Sequence, residues 1–269
     1  MKISSFSKAA LLAAVFCASF LVSCKKSPQK PTAPAIDSLK VGLIAYYTFD
    51  NTGADSSGNK NDGTVYDINS ATDRFGNTNG AYYFNGTSSY ISVPDNQSLR
   101  LNNTDFTLNA WIKTNAYGSL YAENILGKRL TGANNGWIFG ILGDAVSPTG
   151  VIDFGPGGGA INSFGTTVVT LNQWHMLTIV YTLSKLQMDM YIDGAKIGTV
   201  TGSYNSGVFS SSSTGVISPK ASETALMYIG RDDPSQPEGY FFNGSMDDIR
   251  MYSRAISKDQ IQQLFTAKN

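Results

Sequence analysis

The chain has 269 residues, 12% aromatic and 15% charged, and its 20 basic residues balance its 20 acidic ones. That balance leaves no basic stripe for nucleic acid. Two cysteines and one histidine are too few for a Cys/His zinc site.

Residues 1–23 read as an export signal. Lys2 and Lys8 precede an apolar run from Ala9 to Val22, which at about 14 residues is short for a bilayer span of about 20. Leu21-Val22-Ser23-Cys24 resembles the lipobox of bacterial lipoproteins. The resemblance implies cleavage before Cys24, lipidation of that cysteine, and a place in the cell envelope on the outer membrane or cell surface. Membrane contact is expected through this anchor only, since several acyl chains together hold a protein stably. Cys17 leaves with the signal and Cys24 takes the lipid, so the exported part relies on its own core or a metal. Removing Lys2 and Lys8 leaves 18 basic against 20 acidic residues, a net of −2. Residues 24–40 carry the anchor and a Pro- and Lys-rich stretch, KKSPQKPTAPAIDSLK, which reads as an extended tether.

Residues 41–269 read as one domain. The apolar pattern has period two, most clearly in TLNAWIK (107–113), WHMLTIVY (174–181) and LQMDMYID (186–193). In the last run Leu186, Met188, Met190 and Ile192 face one way; Gln187, Asp189, Tyr191 and Asp193 face the other. Asp193-Gly194 marks a hairpin, and GPGGG at 155–159 reads as a turn, because no Lys-Ser/Thr follows it as in a phosphate loop. About a dozen short strands predict an all-β sandwich of two antiparallel sheets. Residues 206–224 read as a long mobile connection. A C-terminal helix is predicted from the capping-box pattern Ser257-Lys258-Asp259-Gln260, followed by Ile261, Leu264 and Phe265 at helical spacing; it should close one side of the sandwich.

Four stretches in order, GLIAYYTFD (42–50), DSSGNKNDGTV (55–65), AYYFNGTSSYISVPD (81–95) and GSMDDIRMYSRAISKDQIQQLF (244–265), carry a resemblance over about 42–265. FTLNAWIK (106–113) and NQWHMLTIVY with YIDGAKIG (172–198) fit it too. The chain resembles the laminin-G-like, concanavalin A-like jelly-roll domains of bacterial surface proteins. This implies a concanavalin A-like jelly roll, use as a ligand-binding or spacer module, and often a bound calcium ion. Related glycanases place a calcium ligand at the aspartate opening a similar Asp-x-[Val/Ile]-Arg-x-Tyr strand, here Asp247. Strand alternation puts Asp247 on the face of Ile249 and Met251, where an unpaired charge is costly. Asp248 shares its face with Arg250. A calcium ion is therefore expected on Asp247 with Asp50 or Asp55 and carbonyls near Gly58 and Gly86, joining the chain ends. The alternative is that Asp247 accepts N–H bonds or pairs with an arginine.

Resembling enzymes carry a Glu-x-Asp-x-x-Glu strand, which the three glutamates Glu123, Glu223 and Glu238 do not form. His175, the one histidine, reads as a packed, hydrogen-bonded core residue. A non-catalytic glycan-binding module is expected, with Trp137, Arg231, Asp232 and Tyr240 as candidate ligand contacts. The alternative is an adhesion or scaffold module for a protein partner, marked by a contiguous apolar patch.

Overall fold

The computed structural model describes residues 37–117, 122–130, 135–143, 151–156, 169–201, 204–205, 208–209, 224–235 and 239–267, the side chains of 135, 151–156, 200–201, 204–205 and 208–209 excepted. The strands in chain order are β1 (Leu43–Tyr47), β2 (Thr64–Tyr66), β3 (Asn69–Ala71), β4 (Ala81–Asn85), β5 (Tyr90–Val93), β6 (Phe106–Thr114), β7 (Ala122–Leu130) and β8 (Asn135–Leu142). There follow β9 (Val151–Pro156), β10 (His175–Thr182), β11 (Gln187–Ile192), β12 (Ala195–Thr201), β13 (Tyr204–Asn205), β14 (Val208–Phe209), β15 (Met227–Ile229) and β16 (Asn243–Tyr252). Among the described residues there is one α-helix, α1 (Lys258–Thr266), after β16.

The larger sheet runs β12-β11-β10-β6-β16-β4-β3, with β1 also on β16. The smaller runs β2-β5-β15-β7-β8-β9, and β13 pairs with β14. Every pairing is antiparallel. This is the expected all-β jelly-roll sandwich. Period-two patterning supplies its core: Phe106, Leu108, Ala110 and Ile112 of β6 and Met188, Met190 and Ile192 of β11 point inward. From the smaller sheet Ile91, Val93, Leu126, Phe139, Met227 and Ile229 join them. Two-residue hairpins favour left-handed backbone at both turn positions. Asp193 and Gly194 supply it, with φ of 51° and 76°.

The opposite face of the larger sheet carries a second apolar layer. Trp111, Met176, Val180, Tyr191 and Tyr252 pack there against Ile256, Ile261 and Leu264, and Phe265 stacks on Trp111 at 5.7 Å. The helix forms as its sequence pattern predicts: Ser257 Oγ accepts the Gln260 N–H, and Gln260 Oε1 accepts the Ser257 N–H. The first and last strands, β1 and β16, pair with each other. Arg254 donates to the carbonyls of Val41 and Ser38 at 2.7 Å each, and Gln260 donates to Ser38. Asp37–Lys40, read as the end of the tether, form a turn on this clasp.

Two sequence readings change in detail. Gly155 and Pro156 end β9 instead of opening a turn; 157–159 lie outside the described residues. Within the 206–224 connection Val208–Phe209 form β14, while 206–207 and 210–223 lie outside the description.

Candidate functional site

Strand alternation misplaces Asp247. Along β16 the partners on β6 step from Trp111 opposite Asp247 to Asn109 opposite Arg250, so three residues answer two. This is a β-bulge, and Asp248 takes it in left-handed backbone with φ 48°. The extra residue resets the alternation. Ile249 and Met251 point into the core, whereas Asp247 stands opposite Trp111 on the outer face. It does not share the face of Ile249 and Met251, correcting the expectation.

Both carboxylates meet one guanidinium. Arg74 Nη1 lies 2.5 Å from Asp247 Oδ2, and Arg74 Nη2 lies 2.5 Å from Asp248 Oδ2. The guanidinium is held 4.3 Å from the Phe75 ring centroid and 4.7 Å from that of Trp111, as cations favour aromatic faces. Asp248 Oδ1 accepts the Tyr46 hydroxyl at 2.5 Å and lies 3.2 Å from Arg250 Nη2. Arg250 in turn donates to the Tyr46 oxygen and covers its ring. The side chains of Arg74, Asp247 and Asp248 are 4%, 1% and 0% exposed, so two arginines and two aspartates form a balanced, buried network. Burial, then the neighbouring Asp248, push the Asp247 carboxyl up, against the pull of Arg74.

The aspartates expected to hold calcium are not gathered into one site. Asp55 Oδ1 accepts the N–H groups of Tyr46 and Ser57, and Oδ2 accepts the Ser57 hydroxyl and the Asn61 N–H. With Asn59 donating to Leu43 O and Asn61 to Ile44 O, the 55–62 loop covers the free edge of β1, a place where unpaired backbone groups need partners. Asp50 lies on an exposed bend. Among the described residues no three His, Cys, Asp or Glu side chains form a group that could hold a metal ion. A calcium ion on Asp247, Asp50 and Asp55 does not fit this donor set, because Arg74 stands against one Asp247 oxygen and neutral donors surround Asp55.

The candidate ligand residues separate in the same way. Trp137 is fully buried and its indole N–H donates to Leu99 O; it is a core residue and presents no ring to a ligand. Asp232 is buried and grips Arg129 through both oxygens. Tyr240 is half-buried in left-handed backbone with φ 41°. Arg231 alone of the four belongs to an aromatic array. The loop carrying it is closed by Phe242 N–H to Gly230 O and Asp232 N–H to Gly239 O, which sets Arg231 beside Phe241.

That array was not singled out in the sequence. Tyr66 and Tyr90 are cross-strand partners on β2 and β5, stacked at 4.5 Å and 15°. Tyr228 of β15 lies diagonally beside Tyr90, edge to face at 6.0 Å. Because Val93, Ile91, Met227 and Ile229 alternate with these rings and fill the core, the tyrosines stand on the outside of the smaller sheet. Arg231 lies over Phe241 at 4.7 Å, Tyr90 at 5.0 Å and Tyr228 at 5.8 Å. The signal was present as Tyr in TVY, YISV and MYI, at the outward places where polar residues are usual. A recess of about 220 Å³, by contrast, is lined by Gln97, Ser98, Arg100, Leu101, Asn102, Thr104 and Ser253, without a ring for stacking.

Other titratable groups are explained within the fold. Glu123, fully buried at the start of β7, accepts the Thr114 hydroxyl at 3.0 Å, and burial pushes its carboxyl up to about 8. The buried Lys128 pairs with Asp95 at 2.5 Å and donates to Ala225 O. A hydrogen bond from Arg100, ahead of Lys128, holds the Asp95 carboxyl down at about 2. His175 bridges Thr170 and Asp193 at 2.8 Å each, the connectivity of a nucleophile relay. Asp193 also accepts the Met176 N–H and donates its own to Met176 O, so these bonds clasp the hairpin turn to β10. Cys24 lies outside the described residues.

Two antiparallel sheets face to face, a helix outside one and an aromatic array outside the other, define a jelly-roll sandwich. Residues 85–262 match the laminin G-type family described as "Concanavalin A-like lectin/glucanases superfamily", and the chain belongs to that family. Among solved structures it is similar to domain 4 of AbnA, a GH43 extracellular arabinanase from Geobacillus stearothermophilus, in complex with arabinotriose: 20% identity, TM-score 0.60, covering 83% of this chain and 98% of that one. It is also similar to the binding domain of botulinum neurotoxin serotype D/C (17% identity, TM-score 0.58, covering 85% of this chain) and to that of Paraclostridial Mosquitocidal Protein 1 (17%, 0.56, 84%). The match spans about half the length of each of these toxin domains, 52%. No curated protein sequence matches the chain.

Proposed function

We propose that the chain is a non-catalytic, lipid-anchored binding module of a bacterial cell envelope that holds a glycan on the outside of its smaller sheet. The observation carrying this reading is the Tyr66–Tyr90–Tyr228 array beside Arg231. A sugar presents apolar C–H patches that rest on aromatic faces, while its hydroxyls need a few fixed polar groups. The fold likeness to a domain bound to arabinotriose agrees with it. The exposed large apolar side chains among the described residues are Val41, Tyr66, Phe75 and Leu226; a protein partner would need such side chains to form one apolar patch. No catalytic step is assigned, since Glu123 is sealed in the core and Asp247, Asp248, Asp95 and Asp232 are engaged by arginines or lysine.

Affinity electrophoresis against arabinan, galactan, xylan, polygalacturonate and alginate tests the reading. The protein should be retarded by at least one of them, and Tyr90→Ala should weaken that binding about tenfold. Unchanged mobility in every neutral and acidic polysaccharide would sink it, and release of reducing sugar would replace it with an enzyme. For the anchor, Cys24→Ala should move the protein from the membrane to the soluble fraction.

A further inference from the structure

We propose that Arg231 forms a subsite for a sugar carboxylate, so that the tyrosine face selects acidic glycans, built with uronic or sialic acid units, over neutral ones. The inference rests on the glycan reading above and narrows its ligand.

Arg231 differs from the other described arginines. Arg74 faces Asp247 and Asp248, Arg100 faces Asp95, Arg129 faces Asp232 and Arg250 faces Asp248. Arg254 is spent on Val41 O, Ser38 O and Gln260. Arg231 forms no ion pair with a described residue; its Nε donates to the Asp232 carbonyl at 2.8 Å, and three rings cover its guanidinium. Asp232 grips Arg129 with both oxygens, and Asp233, 8% exposed, accepts the Ser235 N–H and lies within electrostatic reach of Tyr228 without forming an ion pair with Arg231.

The three rings and the Nε bond hold the guanidinium in place and leave its two terminal nitrogens without a hydrogen-bond partner among the described residues. A fork held in one plane matches a carboxylate, which accepts two parallel charge-assisted bonds, better than it matches scattered hydroxyls. The Tyr66–Tyr90 stack next to it supplies the surface for the ring that carries the acid. Gly239 is part of the device. With φ 68°, it would place a Cβ 2.3 Å from the Phe241 ring, so any side chain there disturbs the ring under Arg231. A single cation on a chain without a basic excess suits an isolated carboxylate, not a densely sulfated polymer that calls for a basic cluster.

The test is isothermal titration of the wild-type protein and of Arg231→Gln with polygalacturonate, alginate and sialyllactose, each beside its carboxyl-reduced form. The wild-type protein should prefer at least one acidic probe over its reduced form by about tenfold or more. Arg231→Gln should abolish that preference, lowering the affinity for the acid to that for its reduced form while weakening the reduced form far less. Equal wild-type affinity for each acid and its reduced form, binding to none of the acids, or a preference that survives Arg231→Gln would each overturn the proposal. If Tyr90→Ala still weakens binding to a neutral polymer in those cases, the glycan reading survives; if no polymer of either kind binds, both fall.

Discussion

Arg74 shows how one side chain decides what two others can do. Placed between Phe75 and Trp111, it turns Asp247 and Asp248 from costly buried charges into halves of an ion-pair network. Removing one member of such a network is more damaging than never having built it. Arg74→Met, which keeps the stem, should therefore lower stability by about 3 kcal/mol at neutral pH. The loss should grow as pH rises above neutral, because without Arg74 the Asp247 carboxyl, already pushed up by burial, becomes still costlier to ionise, and it should be the same with calcium or with a chelator in chemical denaturation. A loss that appears only after calcium is withdrawn would return Asp247 to a metal site. Glu123 gives a second residue-scale outcome. Its folded carboxyl keeps its proton up to about pH 8, against an ordinary value of 4.5. Between those values the folded state binds more protons than the unfolded one, so this group's contribution falls as pH rises. Glu123→Gln should remove the dependence: relative to the wild type it should gain stability from pH 5 to pH 9, with a limiting slope of about 1.4 kcal/mol per pH unit. Parallel pH profiles for the two proteins would contradict the assignment.

At the scale of elements, α1 and the outer layer of the larger sheet are one unit. The helix has nine residues, marginal in water by itself, so its cap and its apolar face hold it on the sheet. Ser257→Ala removes the cap oxygen and should cost about 1 kcal/mol. Leu264→Ala, at a side chain 1% exposed, should cost about 2–3 kcal/mol. Urea titration followed by tryptophan fluorescence would measure both, and a cost below about 0.5 kcal/mol for Leu264→Ala would mean that the helix is not docked as described. The capping box and the Asp193-Gly194 turn were legible in the sequence because each rests on side chains a few positions apart. The bulge at Asp248 was not. It arises where β16 must pair with β6 and β1 at once, and the counter-charge for the displaced acids comes from a residue 173 positions away.

Across the whole molecule the two outer faces have divided roles. The outer face of the larger sheet is closed by α1 and the Arg74 network, whereas that of the smaller carries the tyrosines and Arg231. Changes on one should leave the other untouched, because sites far apart with no shared partner behave additively. Leu264→Ala should thus lower the unfolding midpoint with glycan affinity within about twofold of the wild type, while Tyr90→Ala should do the reverse. Calorimetry and affinity electrophoresis on the same two variants check this. Coupled losses in both would show that the tyrosine face depends on the far side of the sandwich.

By itself the amino-acid sequence determined the sandwich, the alternation along β6, β10 and β11, the helix and its cap, and the hairpin turn. Those follow from periods of two and of 3.6 and from local turn chemistry, which a one-dimensional string records. Only the tertiary structure decided that Trp137 is core, that Asp247 answers Arg74, that Asp55 seals the edge of β1, and that Tyr66, Tyr90, Tyr228, Phe241 and Arg231 form one surface. The reason is physical: strand register and bulges set which distant side chains meet, and a shift of one residue exchanges the two faces of a strand.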